Sequence, residues 1–180
     1  ERFFIFQIRI INSMNCGSIR YFICHQDAKF KTDLKSIKKC EKMEKVLDNK
    51  KSLYNFKKRI EKLSKKLKQK IKGLKKQGKK IHIYGASTKG NVLIQYSKIS
   101  VKDIKFAADR NPKKWDRKMP GSNIPIISEK LSRSKHPDVY LVLPWHFKKE
   151  FVKREKNFLS KGGKLIFPLP KIYTVPKKNS

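Results

Sequence analysis

The chain has 180 residues, room for one medium domain or a domain plus a piece of another, and it carries 47 Lys and Arg against 14 Asp and Glu, a formal charge of +33. So basic a balance points toward nucleic acid or an anionic membrane, but lysine far outnumbers arginine and meets phosphate as a point charge, so base-specific recognition of nucleic acid is not expected. No apolar run approaches the ~20 residues that span a bilayer. Cys16, Cys24 and Cys40 are odd in number and lack C-x-x-C spacing, so they imply neither a disulfide framework nor a metal site. The expectation is a soluble, cytoplasmic protein with no membrane partner.

From Arg2 to Asn12 and from Ser18 to Gln26 the chain is rich in Phe, Ile and Tyr, with a polar turn between, which predicts a β-hairpin. A lone hairpin needs a sheet to join, and the chain starts at Glu1 with a strand-like segment, so it reads as a fragment of a longer protein. Asp33 to Gln77 is dominated by lysine. Within it Leu53, Phe56, Ile60, Leu63, Leu67, Ile71 and Leu74 step by three and four, one stripe of a helix, with Ser52 as its expected N-cap and Gly78 as its stop. The lysines flanking the stripe make self-pairing repulsive and favour packing on the same chain.

After Gly78 the pattern changes to βα units. Strands are expected at Lys80–Tyr84, Ile104–Ala108, Val139–Leu143 and Lys164–Pro168, with helices at Lys89–Ser97, Ser128–Ser132 and Phe147–Ser160. Apolar runs separated by helices predict a parallel sheet covered on both faces. The fold class is therefore α/β: a small Rossmann-like parallel-sheet domain at 79–180, preceded by a β-hairpin at 1–28 and a long lysine-rich helical connector at 29–78.

In such sheets the ligand crevice lies beyond the carboxyl ends of the strands, and three chemically marked turns fall there. In the first, Tyr84 ends a strand and Gly85-Ala86-Ser87-Thr88-Lys89-Gly90 leads into a helix, an arrangement suited to an anion. Helix N-terminal N–H groups are unpaired, Ser87 and Thr88 add hydroxyls, Lys89 adds charge, and Gly85 and Gly90 let the backbone turn and approach a ligand. The spacing is neither G-x-G-x-x-G nor a triphosphate loop, and an ordinary capped connection remains open. The second turn offers Asp109, either a ribose contact or a local cap, and Arg110, a candidate for diphosphate. The third places Trp145 and His146 where a base or sugar could stack. No catalytic set emerges, since the four histidines are scattered and His82, inside a strand, reads as a structural imidazole.

Ile83-Tyr84-Gly85-Ala86-Ser87-Thr88-Lys89-Gly90-Asn91, Asp109-Arg110-Asn111-Pro112-Lys113, Pro120-Gly121 with Ile124-Pro125-Ile126, Leu143-Pro144-Trp145-His146-Phe147, and Gly162-Gly163-Lys164 with Pro168 together resemble the C-terminal domain of bacterial SAM-dependent C-methyltransferases. Upstream, Asn15-Cys16-Gly17-Ser18-Ile19-Arg20 is similar to that family's N-G-G-S-x-R turn, near the end of its methyltransferase domain, with Cys16 in place of a glycine. The resemblance implies a nucleotide-linked deoxysugar as substrate. It places S-adenosylmethionine, the catalytic residues and a zinc-binding domain before Glu1, and leaves this part a substrate-binding module. On it Ser87, Thr88, Lys89 and Arg110 are expected at the diphosphate, and Asp109, Trp145 and His146 at the nucleoside or sugar. The alternative is a free-standing sugar-nucleotide or NAD-binding module.

Overall fold

The structure, a computed structural model, describes residues 2–12 and 17–176, and the chain divides into two units, Glu1–Arg59 and Ile60–Ser180. In the first, the aromatic and β-branched runs form the expected antiparallel pair, β1 (Phe3–Ile11) and β2 (Ser18–His25), with a bulge between Ile5 and Gln7. Most of the turn between them, Cys16 included, lies outside the described residues. Helix α1 (Leu34–Glu44) closes one edge: the Asp33 N–H donates to the Phe6 carbonyl at 2.7 Å and the Ile8 N–H to Ser36 Oγ at 3.0 Å. Phe6 stacks on Phe30 with centroids 4.7 Å apart. Phe3, Ile5, Ile19, Tyr21 and Ile23 remain exposed, and no third strand pairs with the hairpin among the described residues.

The lysine-rich segment is two helices, parted by a 3-10 turn at Lys45–Asp48. The second, α2 (Lys50–Lys76), starts earlier than the expected Ser52 cap, because Asn49 Oδ1 accepts from the Lys51 and Ser52 N–H groups at 2.9 and 3.3 Å. It ends at Gly78 as expected: with φ at +72°, Gly78 donates to Lys75 and Lys79 to Leu74, the paired bonds of a Schellman stop. The apolar stripe splits. Leu67 and Ile71 are fully buried with Leu63 and Leu74 packed beside them, whereas Leu53 and Phe56 are exposed.

In the second unit the elements follow as β3 (Ile81–Tyr84), α3 (Thr88–Tyr96), β4 (Phe106–Asp109), β5 (Ile126–Ser128), α4 (Glu129–Ser134), β6 (Val139–Val142), α5 (Lys148–Arg154), α6 (Lys156–Ser160), β7 (Lys164–Phe167) and β8 (Tyr173–Val175). The sheet order is β5-β4-β3-β6-β7-β8, the first five parallel and β8 antiparallel on the edge. Counted in chain order, the parallel strands lie third, second, first, fourth, fifth, so the order reverses between β3 and β6, where ligands bind in open α/β sheets. The helix expected over Phe147–Ser160 is broken at Glu155, which caps α5 and opens α6 with its own side chain buried.

Alternation along each strand separates two unlike cores. Ile81, Ile83, Val139 and Leu141 face an aliphatic cluster with Leu67 and Ile71 of α2 and Leu93 and Ile94 of α3. Tyr84, Tyr140 and Val142 face an aromatic one with Phe151 and Phe167. His82, 4% exposed, also points to this side, its Nδ1 2.8 Å from Ser132 Oγ, which in turn lies 3.0 Å from the Tyr140 hydroxyl. No helix among the described residues is long and apolar enough to cross a membrane.

Leu67→Ala is expected to cost about 2–5 kcal/mol in urea unfolding, and Leu53→Ala on the same helix less than about 0.5 kcal/mol. Burial, with help from the charges of Lys135 and Lys80, lowers the His82 pKa to about 4 from 6.5. Because only the unfolded chain takes up this proton between those values, stability falls as pH drops from about 6.5 to 4, by as much as about 3 kcal/mol, and levels off below. Unfolding free energies at pH 7 and pH 5 for the wild type and a His82→Gln variant check this; the variant loses the slope.

Candidate functional site

The loops leaving β3, β4 and β6 and the start of α4 enclose a cleft of about 420 Å³ at the point where strand order reverses. Its wall beneath the β3 end is Tyr84, with Gly85 and Pro144 beside it, Phe147 and Phe151 opposite, and Asp109, Arg110, Glu129, Glu150 and Arg154 around it.

Asp109 joins two of the turns. Its Oδ2 accepts from the Ala86 N–H at 2.8 Å and from Lys114 Nζ at 3.2 Å, its Oδ1 from the Asn111 N–H at 2.9 Å, and Lys114 also donates to the Ala86 carbonyl at 3.0 Å. Ser87 caps α3, its Oγ accepting from the Gly90 N–H at 3.2 Å. Of the amides in this loop, those of Thr88 and Lys89 stay without a partner among the described residues, and both side chains are exposed. The glycines have other duties. Gly85, at φ +83°, has Pro144 Cγ where its Cβ would be, 2.6 Å away, and a Cβ on Gly90 would overlap the Leu143 side chain, so Gly90 lets α3 lie close on the sheet.

Behind the cleft runs a charged network. The Tyr84 hydroxyl donates to Glu155 Oε1 at 2.8 Å, and Arg133 donates to both at 2.7 Å. Burial and the Glu155 carboxylate together push the Tyr84 pKa far up, so the phenol stays protonated. Burial opposes the Arg133 charge, but the bond to Glu155 and the electrostatic pull of Tyr84, Glu155 and Glu129 together outweigh it and raise its pKa. Glu129 gathers Arg110 and Arg154 on one oxygen, each at 3.3 Å, and Arg133 on the other at 3.3 Å. Arg154 lies over the rings of Tyr84 and Phe151, 4.9 and 4.8 Å from their centroids. Among the described residues no group of three or more His, Cys, Asp or Glu could hold a metal ion.

A family model described as the C-methyltransferase C-terminal domain matches residues 13–170. The chain belongs to that family. Over 100 residues, 56% of this chain, it is 37% identical to C-methyltransferase NovU of Streptomyces niveus, and the matched stretch is 24% of that protein. The match thus spans about a quarter of the relative's length.

Within this C-methyltransferase C-terminal domain, Tyr84, Gly85, Asp109 and Arg110 line the cleft, whereas Ser87, Thr88, Lys89 and Gly90 lie in the adjoining loop and first turn of α3. Trp145 and His146 are half-buried in the 3-10 turn that delivers Phe147, with Trp145 packed on the aromatic core. Glu129, Phe147, Glu150, Phe151 and Arg154 were not legible as site residues. Glu129 alone had a signal, the position directly after a capping Ser128 at a strand end. Gly90→Ala is expected to cost about 1–3 kcal/mol by forcing α3 from the sheet. Combined with Leu143→Ala, the loss should be smaller than the sum of the two single losses in urea titrations.

Proposed function

We propose that this domain holds the substrate of a SAM-dependent C-methyltransferase acting on a nucleotide-linked deoxysugar, with the methyl donor and the proton-abstracting base supplied by parts that the matched quarter of the relative does not include. On this reading 1–28 is the closing hairpin of a methyltransferase domain, 29–78 the connector and 79–180 the substrate module. The observation that carries it is the cleft at the strand-order reversal of a chain in this family, the loop after Gly85 in its lining carrying an exposed lysine and two amides unpartnered among the described residues. S-adenosylmethionine would supply an electrophilic methyl group.

The turn also bears on the alternative of an NAD-binding module. A dinucleotide's pyrophosphate approaches the middle glycine of G-x-G-x-x-G, and that position here is Ser87, whose Oγ caps α3. Substrate binding here needs no chemistry from the domain: Lys89 and the Thr88 and Lys89 amides would meet the diphosphate, and the cleft would receive an attached ring. Calorimetric titration of the full chain with thymidine diphosphate, NAD and S-adenosylmethionine tests this. Saturable binding of thymidine diphosphate is expected, weakened about fivefold in Lys89→Ala with a stability change under about 0.5 kcal/mol. Binding of NAD instead would favour the alternative.

A further inference from the structure

The charge inside the cleft runs against that of the chain. Across a molecule of +33, the cations at this site are already answered. Arg110 Nε lies 3.3 Å from Glu129 Oε1, Arg154 shares that oxygen at 3.3 Å and reaches Glu155 at 3.6 Å, and Lys114 sits on Asp109 at 3.2 Å. Glu150 lines the cleft, exposed and with no ion pair among the described residues. A phosphate placed inside would have to draw the arginines from their carboxylate and sit beside the free charge of Glu150, both unfavourable.

An uncharged ring bearing hydroxyls meets the opposite situation. A carboxylate has about four acceptor sites; Arg133 and Arg154 hydrogen-bond to Glu129 and leave it about two, while Glu150 keeps all of its own. Arg110, 68% exposed at its side chain, forms an ion pair with Glu129 and has N–H donors to spare. Phe147, 44% exposed, offers a flat apolar wall to the C–H face of such a ring. We propose that the cleft between the ends of β3 and β6 binds an uncharged, hydroxyl-bearing ring, Glu129 and Glu150 accepting from its hydroxyls and Arg110 donating to them. This rests on the nucleotide-sugar reading and refines it: the diphosphate lies on the Lys89 side, and Arg110 serves the ring. The ring is either the nucleoside's pentose or the hexose.

Calorimetric titration of the full chain, wild type and the variants Glu129→Gln and Glu150→Gln, with thymidine diphosphate and thymidine diphosphate-glucose decides the matter. Each variant is expected to bind thymidine diphosphate-glucose about tenfold more weakly, the loss of a hydrogen bond to a charged acceptor. If the ring is the hexose, affinity for thymidine diphosphate is unchanged by either variant; if it is the nucleoside's own, both ligands weaken together. Tighter binding of thymidine diphosphate by Glu129→Gln would show arginines released onto a phosphate and overturn the inference. So would variants indistinguishable from wild type. Glu150 is exposed, so its variant reports on binding even where thermal melting shows Glu129→Gln to be unfolded. Silence of the wild type toward both ligands overturns the nucleotide-sugar reading and this inference with it, whereas wild-type binding that neither variant alters overturns this inference alone.

Discussion

Four consecutive residues of β3, Ile81-His82-Ile83-Tyr84, are all buried, and the period of two gives them to opposite faces. The strand is flanked by β4 and β6, so neither edge is free and register is fixed by which residues each face accepts. The aliphatic face takes α2 and α3, whose packing needs only volume. The other face holds His82, Tyr84 and Tyr140, and each polar atom there must find a partner in a medium where an unmet one costs about 1–3 kcal/mol. Ser132, Glu155 and Arg133 provide them. The division into a packing face and a hydrogen-bonding face is thus set by the central strand. The cleft lies at the end of the hydrogen-bonding face, where Tyr84 reaches it.

The distribution of acids follows from this. Of the chain's 14 Asp and Glu, four, Asp109, Glu129, Glu150 and Glu155, line the cleft or its back wall. Elsewhere lysine dominates exposed positions, with the charge of α2 pointing to solvent around its apolar stripe. A high net charge draws anions toward the molecule as a whole without selecting where they settle. Selection comes from the local balance. The cations of the cleft are already paired with carboxylates, whereas Lys89 in the adjoining turn is exposed.

Elements written as periodic patterns were legible: the hairpin, the stripe ending at Gly78, and the strands β3, β4, β6 and β7 with the helices between them. What escaped was written in few residues or in contacts distant along the chain. The strands β5 and β8 have three residues each, too short for a period to register. The break at Glu155 sits inside a lysine-bearing helical pattern, and the reason for it, a carboxylate drawn to Tyr84 and Arg133, lies 71 and 22 residues away. Glu129, Glu150 and Arg154 look in sequence like solvated helix positions among many others. The turns themselves were visible because glycine, proline and aspartate mark them, but the marks were ambiguous between binding and packing.

That ambiguity is resolved differently at each mark. Asp109 engages both oxygens with the backbone and Lys114, and so holds the β3 and β4 turns together whatever else it contacts. Gly85 and Gly90 accommodate Pro144 and Leu143, the turn and helix-packing duties of the outer glycines in a dinucleotide fold, while Ser87 stands where that fold puts the glycine its pyrophosphate approaches. The glycines therefore belong to the scaffold, and the helix end keeps two amides without a partner among the described residues. The acids and arginines around the cleft come largely from α4 and α5, on the opposite face of the sheet from α3.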